Sequence, residues 1–379
     1  MLNQESHLQQ IRQNNLSRVL YTIWSEEHIS RAELARHLQL SRSAISSLVD
    51  ELMDAGVIHE SHVGKSSGGR PPIALQLVEN QHQIIGVDMG SSHIQVVTMN
   101  LNGVIKNSQL VDFDCQTQPR ETINKIIELI EQTQTENIAT LGIGVAVPCP
   151  IQEDQLSARI LPSWKDYSLK NSLEDYFSVP VLLDNDANLG ALAEKWWGAG
   201  QNHDSFVFLK IATGVGAGII NRGKLVKGSN SFAGEIGHIP VSTTYQCRCG
   251  MTGCLEAHIG SVSLLTIKKT RAFLPNHPDI FSYFAHYLSQ SLAIIINLLN
   301  PEKIILLCPH FDDSPEYFIN LKQAMKGKNL WNPFALDNII LSSLQNEAIS
   351  IGAATIVLEE IFKNPLVFIP NQTIQQEAL

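Results

Sequence analysis

The chain is 379 residues long, enough for two or three domains, with 44% hydrophobic and 17% charged residues, an ordinary composition for a globular protein. Acidic residues outnumber basic ones 37 to 27, a net charge of −10, which excludes nucleic-acid binding through an overall basic field and leaves local geometry to carry it. No apolar run approaches the ~18 residues a membrane span needs, and the polar start (Asn3, Gln4, Glu5, Ser6) lacks a signal-peptide core, so a cytoplasmic protein without membrane contact is expected.

The first elements read as a DNA-binding module. Leu16, Val19, Leu20, Ile23 and Trp24 follow helical spacing across residues 15–27. Ser30-Arg31-Ala32-Glu33 is a capping box opening a short second helix, in which Leu34 and Leu38 form the apolar side. Ser41 caps a third helix whose buried stripe is Ile45, Leu48, Val49 and Leu52. Arg42, Ser43, Ser46 and Ser47 fall on the opposite face, where small hydroxyl side chains permit close entry into a major groove and Arg42 reaches bases or phosphates. Residues 57–61 and 73–77 alternate as two strands of a wing. Between them, Gly68-Gly69-Arg70-Pro71-Pro72 holds Arg70 on an extended backbone suited to a narrow minor groove. A three-helix protein-interaction module with a solvated loop is the alternative reading of this region.

From residue 84 the pattern changes to strands alternating with helices, the mark of α/β layers. Strands are expected at 84–88, 94–99, 141–147, 181–183, 206–211 and 304–307, and helices at 189–197 and around 292–299. The run Ala212-Thr213-Gly214-Val215-Gly216-Ala217-Gly218 reads as a glycine-rich turn whose amides could hold an anion. Asp184-Asn185-Asp186 taken alone is a turn with a helix N-cap.

His238, Cys247, Cys249 and Cys254 fall within seventeen residues and match the ligand set of a structural zinc site. In a reducing compartment a metal explains them better than disulfides do. Cys115, Cys149 and Cys308 are scattered in apolar surroundings and read as small core residues. Glu235 and Glu256 bracket the cluster, which suggests a binding loop stiffened by metal.

Taken together, the acid at Asp88, Asn185-Asp186, the glycine run at 213–218, Glu235-Ile236-Gly237-His238 and Cys247-Arg248-Cys249-Gly250-Met251-Thr252-Gly253-Cys254-Leu255-Glu256 resemble the ROK family (repressors, open reading frames, sugar kinases). The resemblance covers residues 15–360 and, with the winged helix and Gly-Gly-Arg-Pro ahead of it, points to the repressor branch that regulates xylose, glucose or N-acetylglucosamine genes. It implies an α/β protein: an N-terminal winged helix-turn-helix (1–80) followed by a two-lobed, actin-like or hexokinase-like ATPase fold (81–379) with a zinc loop at 238–254. It implies structural Zn²⁺ on His238, Cys247, Cys249 and Cys254, and sugar contacts from Asn185, Asp186, Glu235, His238 and Glu256. Carboxylates accept pyranose hydroxyls in pairs, and His238 can hold metal through one ring nitrogen and face the sugar through the other.

In the family's kinases the position of Asp186 is the general base; in a repressor it would be vestigial. Two departures bear on ATP. The kinases carry Asp-x-Gly-Gly-Thr where this chain has Asp88-Met89-Gly90-Ser91-Ser92, so Ser91 puts a side chain where backbone would approach phosphate. They carry Pro-Gly where this chain has Pro148-Cys149-Pro150. The expected function is a sugar-responsive transcriptional repressor, not an enzyme, binding a double-stranded operator as a homodimer or homotetramer and sensing a neutral monosaccharide between its lobes. The alternative is an ATP-dependent sugar kinase with an accessory DNA-binding domain.

Overall fold

The computed structural model describes residues 2–26, 28–61, 73–79, 81–263, 279–309, 315–326, 328, 330–331 and 333–368. Helix α1 (Leu2–Ser25) is longer than its apolar spacing predicts, because its first turns are polar and leave no periodic signal. Leu16, Val19, Leu20 and Ile23 bury against α2 (Arg31–Leu38) and α3 (Arg42–Asp54). The cap of α2 is formed as its sequence predicts, Ser30 accepting from the Glu33 amide while the Glu33 carboxylate accepts from the Ser30 amide. Strands β2 (Ile58–Ser61) and β3 (Ala74–Leu77) pair antiparallel, and β1 (Ile29–Ser30) adds to the far edge of β3. The tip of this wing, with Arg70, lies outside the described residues.

Two five-stranded sheets follow, wound on one plan. In the first lobe, β4 (His82–Met89), β5 (His93–Met99) and β6 (Ile105–Asp112) form an antiparallel meander. Helix α4 (Pro119–Thr133) then leads to β7 (Ala139–Val147), which runs parallel to β4. The paired β8 (Ile151–Gln152) and β9 (Gln155–Leu156) and helix α5 (Leu169–Phe177) precede β10 (Val181–Asn185), parallel to β7. The sheet order is β10-β7-β4-β5-β6.

Helix α6 (Asp186–Trp197) crosses to the second lobe, where β11 (Phe206–Ile211), β12 (Val215–Asn221) and β13 (Lys224–Leu225) repeat the meander. Helices α7 (Leu255–Ile259) and α8 (Ile280–Leu299) lead to β14 (Lys303–Leu307), and α9 (Pro315–Lys326) to β15 (Ile339–Leu341), both strands parallel. The order is β13-β12-β11-β14-β15, the same winding as the first sheet. Two expectations shift: α6 starts at Asp186 rather than 189, and most of 213–218 belongs to β12, leaving a tight turn in which the Ala212 amide donates to the Gly214 carbonyl. Among the described residues no helix is long and apolar enough to cross a membrane.

The lobes are joined through α6 and helix α10 (Ala348–Lys363), which is followed by the short α11 (Pro365–Phe368). These helices pack on small residues. A Cβ added at Gly352 would stand 1.8 Å from the Leu189 carbonyl oxygen, and one added at Gly144 would stand 1.7 Å from that of Ala353. Backbone therefore meets backbone both between the two helices and between α10 and the first sheet. Ala146, Leu189, Leu192, Phe206, Phe208, Ile305, Ile349 and Ala353 form the apolar seam between the lobes.

Candidate functional site

Helix α6 begins at the acidic cluster predicted from sequence. Asn185 is its N-cap, its carboxamide oxygen accepting the amides of Ala187 and Asn188, which satisfies donors that a helix start otherwise leaves free. The next side chain, Asp186, is buried. One of its oxygens accepts the Ala187 amide at 2.7 Å, and the other meets the Lys210 ammonium at 2.5 Å. Asp184, also buried, accepts the Asn185 amide and the Asn188 carboxamide and pairs with Lys227 at 2.6 Å.

Across the site, Glu235 stands just ahead of a short 3₁₀ turn, Ile236–His238. Its carboxyl is raised above the usual range by burial and by the nearby Asp186 and Glu256, with Arg248 opposing them. Glu256 lies in the first turn of α7, buried, and is gripped by Arg248 at 2.7 and 3.2 Å while accepting the Val215 amide at 3.0 Å. That amide belongs to the glycine run, so an anion at this point would have to displace a carboxylate already in place. Arg248, Lys210, Lys227 and Asp184 were not among the expected site residues. Each acid in the group except Glu235 has a cation of the chain's own.

The metal-ligand set converges. The ligand atoms of His238, Cys247, Cys249 and Cys254 all lie within 4.8 Å of one another. Nδ1 of His238 is 3.6 Å from the Cys247 sulfur, and the Cys249 and Cys254 sulfurs are 3.7 Å apart. Nε2 of the same ring points away from them, 3.7 Å from the Glu235 carboxylate. Gly253 makes the loop possible: its φ is +81°, and a Cβ there would stand 1.8 Å from the Ser242 carbonyl oxygen. The four side chains can hold a metal ion and would couple its geometry to Glu235. Cys115, Cys149 and Cys308 are buried and stand outside this ligand set, and burial pushes the thiols of Cys115 and Cys149 up to about 12, as inert core residues require.

At the first turn of the fold, Nε2 of His93 donates to the buried Asp88 carboxylate at 3.1 Å, and its ring lies where a side chain on Gly90 would stand. Ser91 is half-buried and Ser92 exposed. In the N-terminal module, Arg42, Ser43 and Ser47 are exposed at the start of α3, and Ser46 is half-buried with its carbonyl 3.4 Å from Arg31. Ser41 accepts the Ala44 amide at 3.2 Å and fixes the angle at which this helix starts.

The two regions are connected by one helix. Trp196 and Trp197, at the far end of α6, meet Trp24 of α1 with ring centroids 5.1 and 6.0 Å apart. Tyr21 and Phe362 complete the aromatic group, with Trp196 stacked on Phe362. The indole nitrogens of Trp196 and Trp197 donate to Glu359 and Thr355 of α10.

Comparison with known proteins agrees with this organisation. A model described as the ROK family matches residues 84–360, and one described as winged helix-turn-helix DNA-binding matches residues 13–59. The xylose repressor of Bacillus subtilis (strain 168) is 30% identical over 372 residues, covering 92% of this chain and 96% of that protein. The DNA-binding transcriptional dual regulator NagC of Escherichia coli (strain K12) is 27% identical over 327 residues, covering 78% and 80%. A solved ROK family transcriptional regulator, a homolog of the E. coli MLC protein, superposes with a TM-score of 0.79 at 25% identity, covering 94% of this chain and 98% of that one. The chain belongs to the ROK family and carries its two lobes behind an N-terminal winged helix-turn-helix.

Proposed function

We propose that the protein is a sugar-responsive DNA-binding repressor of carbohydrate-utilisation genes. The observation that carries this reading is α6, a single helix with Asp186 at one end and the indoles that pack on the DNA-binding module at the other. A neutral monosaccharide between the lobes would take hydroxyl contacts from Asn185, Asp186, Glu235, His238 and Glu256. Carboxylates suit this ligand because each accepts two hydroxyls, and the surplus of acid over base disfavours a sugar phosphate. Ligand-dependent closure would shift α6 and, through Trp196, the first helix of the reader. The ligand moves this equilibrium only by its differential affinity for the two forms, commonly ~1–3 kcal/mol.

Zinc is the metal the His-Cys₃ group suits best. Tetrahedral thiolate ligation at ~2.3 Å from the metal separates two sulfurs by about 3.8 Å, against 3.7 Å for Cys249 and Cys254. Such an ion would hold Glu235 and Glu256 at a fixed spacing. On DNA, Arg42, Ser43, Ser46 and Ser47 would face the major groove and Arg70 the flanking minor groove. A homodimer would place two recognition helices about 34 Å apart on a pseudo-palindrome.

Anisotropy titration of labelled operator DNA against a panel of monosaccharides, including xylose, glucose and N-acetylglucosamine, tests the reading. One of them should change operator affinity by roughly 5- to 150-fold, the range of ordinary coupling. Affinity unmoved by every sugar, or steady ADP release with sugar and ATP, would overturn it in favour of an unresponsive DNA binder or a kinase.

A further inference from the structure

The acidic start of α6 already has a cation of the chain's own, Lys210. It sits in β11 of the second lobe, amid Phe206, Val207, Phe208 and Leu209, all buried, and crosses to the first lobe to pair with Asp186 at 2.5 Å. Burial alone would lower the pKa of its ammonium, but the carboxylates of Asp186 and Asp88 outweigh burial and raise it. Asp88 is 1% exposed, and its second oxygen has no hydrogen-bond partner. Two buried acids thus share the field of one internal ammonium.

Buried carboxylates need a counter-cation. In a phosphoryl-transfer site a nucleotide-bound metal, ligated by hard oxygens at close range, supplies much of that charge. Here the ammonium already occupies the oxygen of Asp186 that its own helix leaves open, the other accepting the Ala187 amide. Hard divalent ions compete poorly for an oxygen beside a fixed like charge. His93, folded over Gly90 and onto Asp88, fills the adjoining turn.

We infer that the Lys210 ammonium is a tethered cation that closes the Asp88–Asp186 pair to divalent metal and frees ligand binding in the cleft from any need for metal–nucleotide. The exclusion of metal stands on the ion pair alone; the consequence for the ligand rests on the sugar-binding reading above.

Mn²⁺ is the probe, followed by electron paramagnetic resonance on the full chain with its cysteine site left as purified. Lys210→Met should gain a Mn²⁺ site at least about tenfold tighter than any in the wild type, because the like charge beside the carboxylates is gone. Adding Asp186→Asn to that variant should remove the site again. Equal Mn²⁺ binding by wild type and Lys210→Met overturns the inference, as does a gained site that survives Asp186→Asn. If Lys210→Met does not fold alone, refolding with Mn²⁺ reads the same question. Recovery supports the inference; failure in both conditions overturns it, since a divalent ion could not then replace the ammonium. A wild-type melting temperature raised by Mg·ATP would also overturn it. Sugar binding without metal or nucleotide is measured on the same preparations, and its absence would remove the sugar reading while leaving the ion result intact.

Discussion

Trp24 in the first helix and Trp196 at the end of α6 pack with ring centroids 5.1 Å apart, one indole from the DNA-binding module and one from the lobes. With Tyr21, Trp197 and Phe362 they form one aromatic contact, and under the proposed function a change at the acidic cluster would reach the N-terminal helices through it. Removing one ring should therefore separate sensing from reading. Trp196→Ala should cost on the order of 2–4 kcal/mol, a little below the roughly 3–5 kcal/mol of a fully buried aromatic because Trp196 is half-buried. Operator binding should persist while its response to sugar falls toward zero, as anisotropy titrations with and without ligand will read. An undiminished response would place the coupling elsewhere.

The His-Cys₃ group should carry one metal ion per chain. Cys254→Ser removes a wholly buried ligand, and a structural zinc contributes on the order of 10 kcal/mol to the folding of its own loop. Elemental analysis should show the ion lost, and calorimetry should show a lower melting temperature. Sugar affinity should fall with it, because Glu235 and Glu256 lie just outside the two ends of the clamped segment. Full sugar affinity in a metal-free variant would detach the loop from ligand binding.

Acid should weaken the second lobe through His258. Burial lowers its pKa from 6.5 to about 4, and its ring bridges Ser242 at 2.7 Å and Tyr283 at 2.8 Å. The unfolded chain takes up this proton at higher pH than the folded one. The stability due to neutral His258 is therefore complete above pH 6.5 and is lost as pH falls toward 4. His258→Asn should flatten the fall of melting temperature across that window by about one proton's worth of slope. An unchanged slope would assign acid sensitivity to other groups.

The start of α3 offers a test that separates fold from recognition. Ser41→Ala should cost about 1 kcal/mol by removing the cap on the Ala44 amide, seen as a lower melting temperature. Exposed Arg42 supports no core contact, so Arg42→Ala should leave stability within about 0.5 kcal/mol and weaken operator binding. Unchanged DNA affinity would remove Arg42 from the interface.

Much of this was legible in the sequence because the signals are local. Ser30, Glu33 and Ser41 cap helices within three residues of themselves, and the cysteine ligands lie close enough in the chain for spacing to reveal them. Lys210 was not legible. A lysine within Phe206-Val207-Phe208-Leu209-Lys210-Ile211 reads as one solvent-facing position of a strand, and only the crossing of α6 brings Asp186 to it. Arg248 was hidden by its position among the candidate metal ligands, because nothing in its spacing marks it as the partner of Glu256. The glycine run reads in sequence as a glycine-rich turn, yet most of it is strand, because glycines also serve where a strand packs against a helix: an added Cβ at Gly218 would lie 2.3 Å from the Ala187 carbonyl oxygen.

Where Gly352 meets Leu189, backbone touches backbone, and no side chain stands at that point to absorb a displacement by changing rotamer. A lever with little play at its fulcrum loses little of what is imposed at its near end, so a shift of Asp186 would be carried along α6 toward Trp196. Any side chain at Gly352 would drive the two helices apart, since its first carbon has no room beside the Leu189 carbonyl, and the lever would lose its fulcrum.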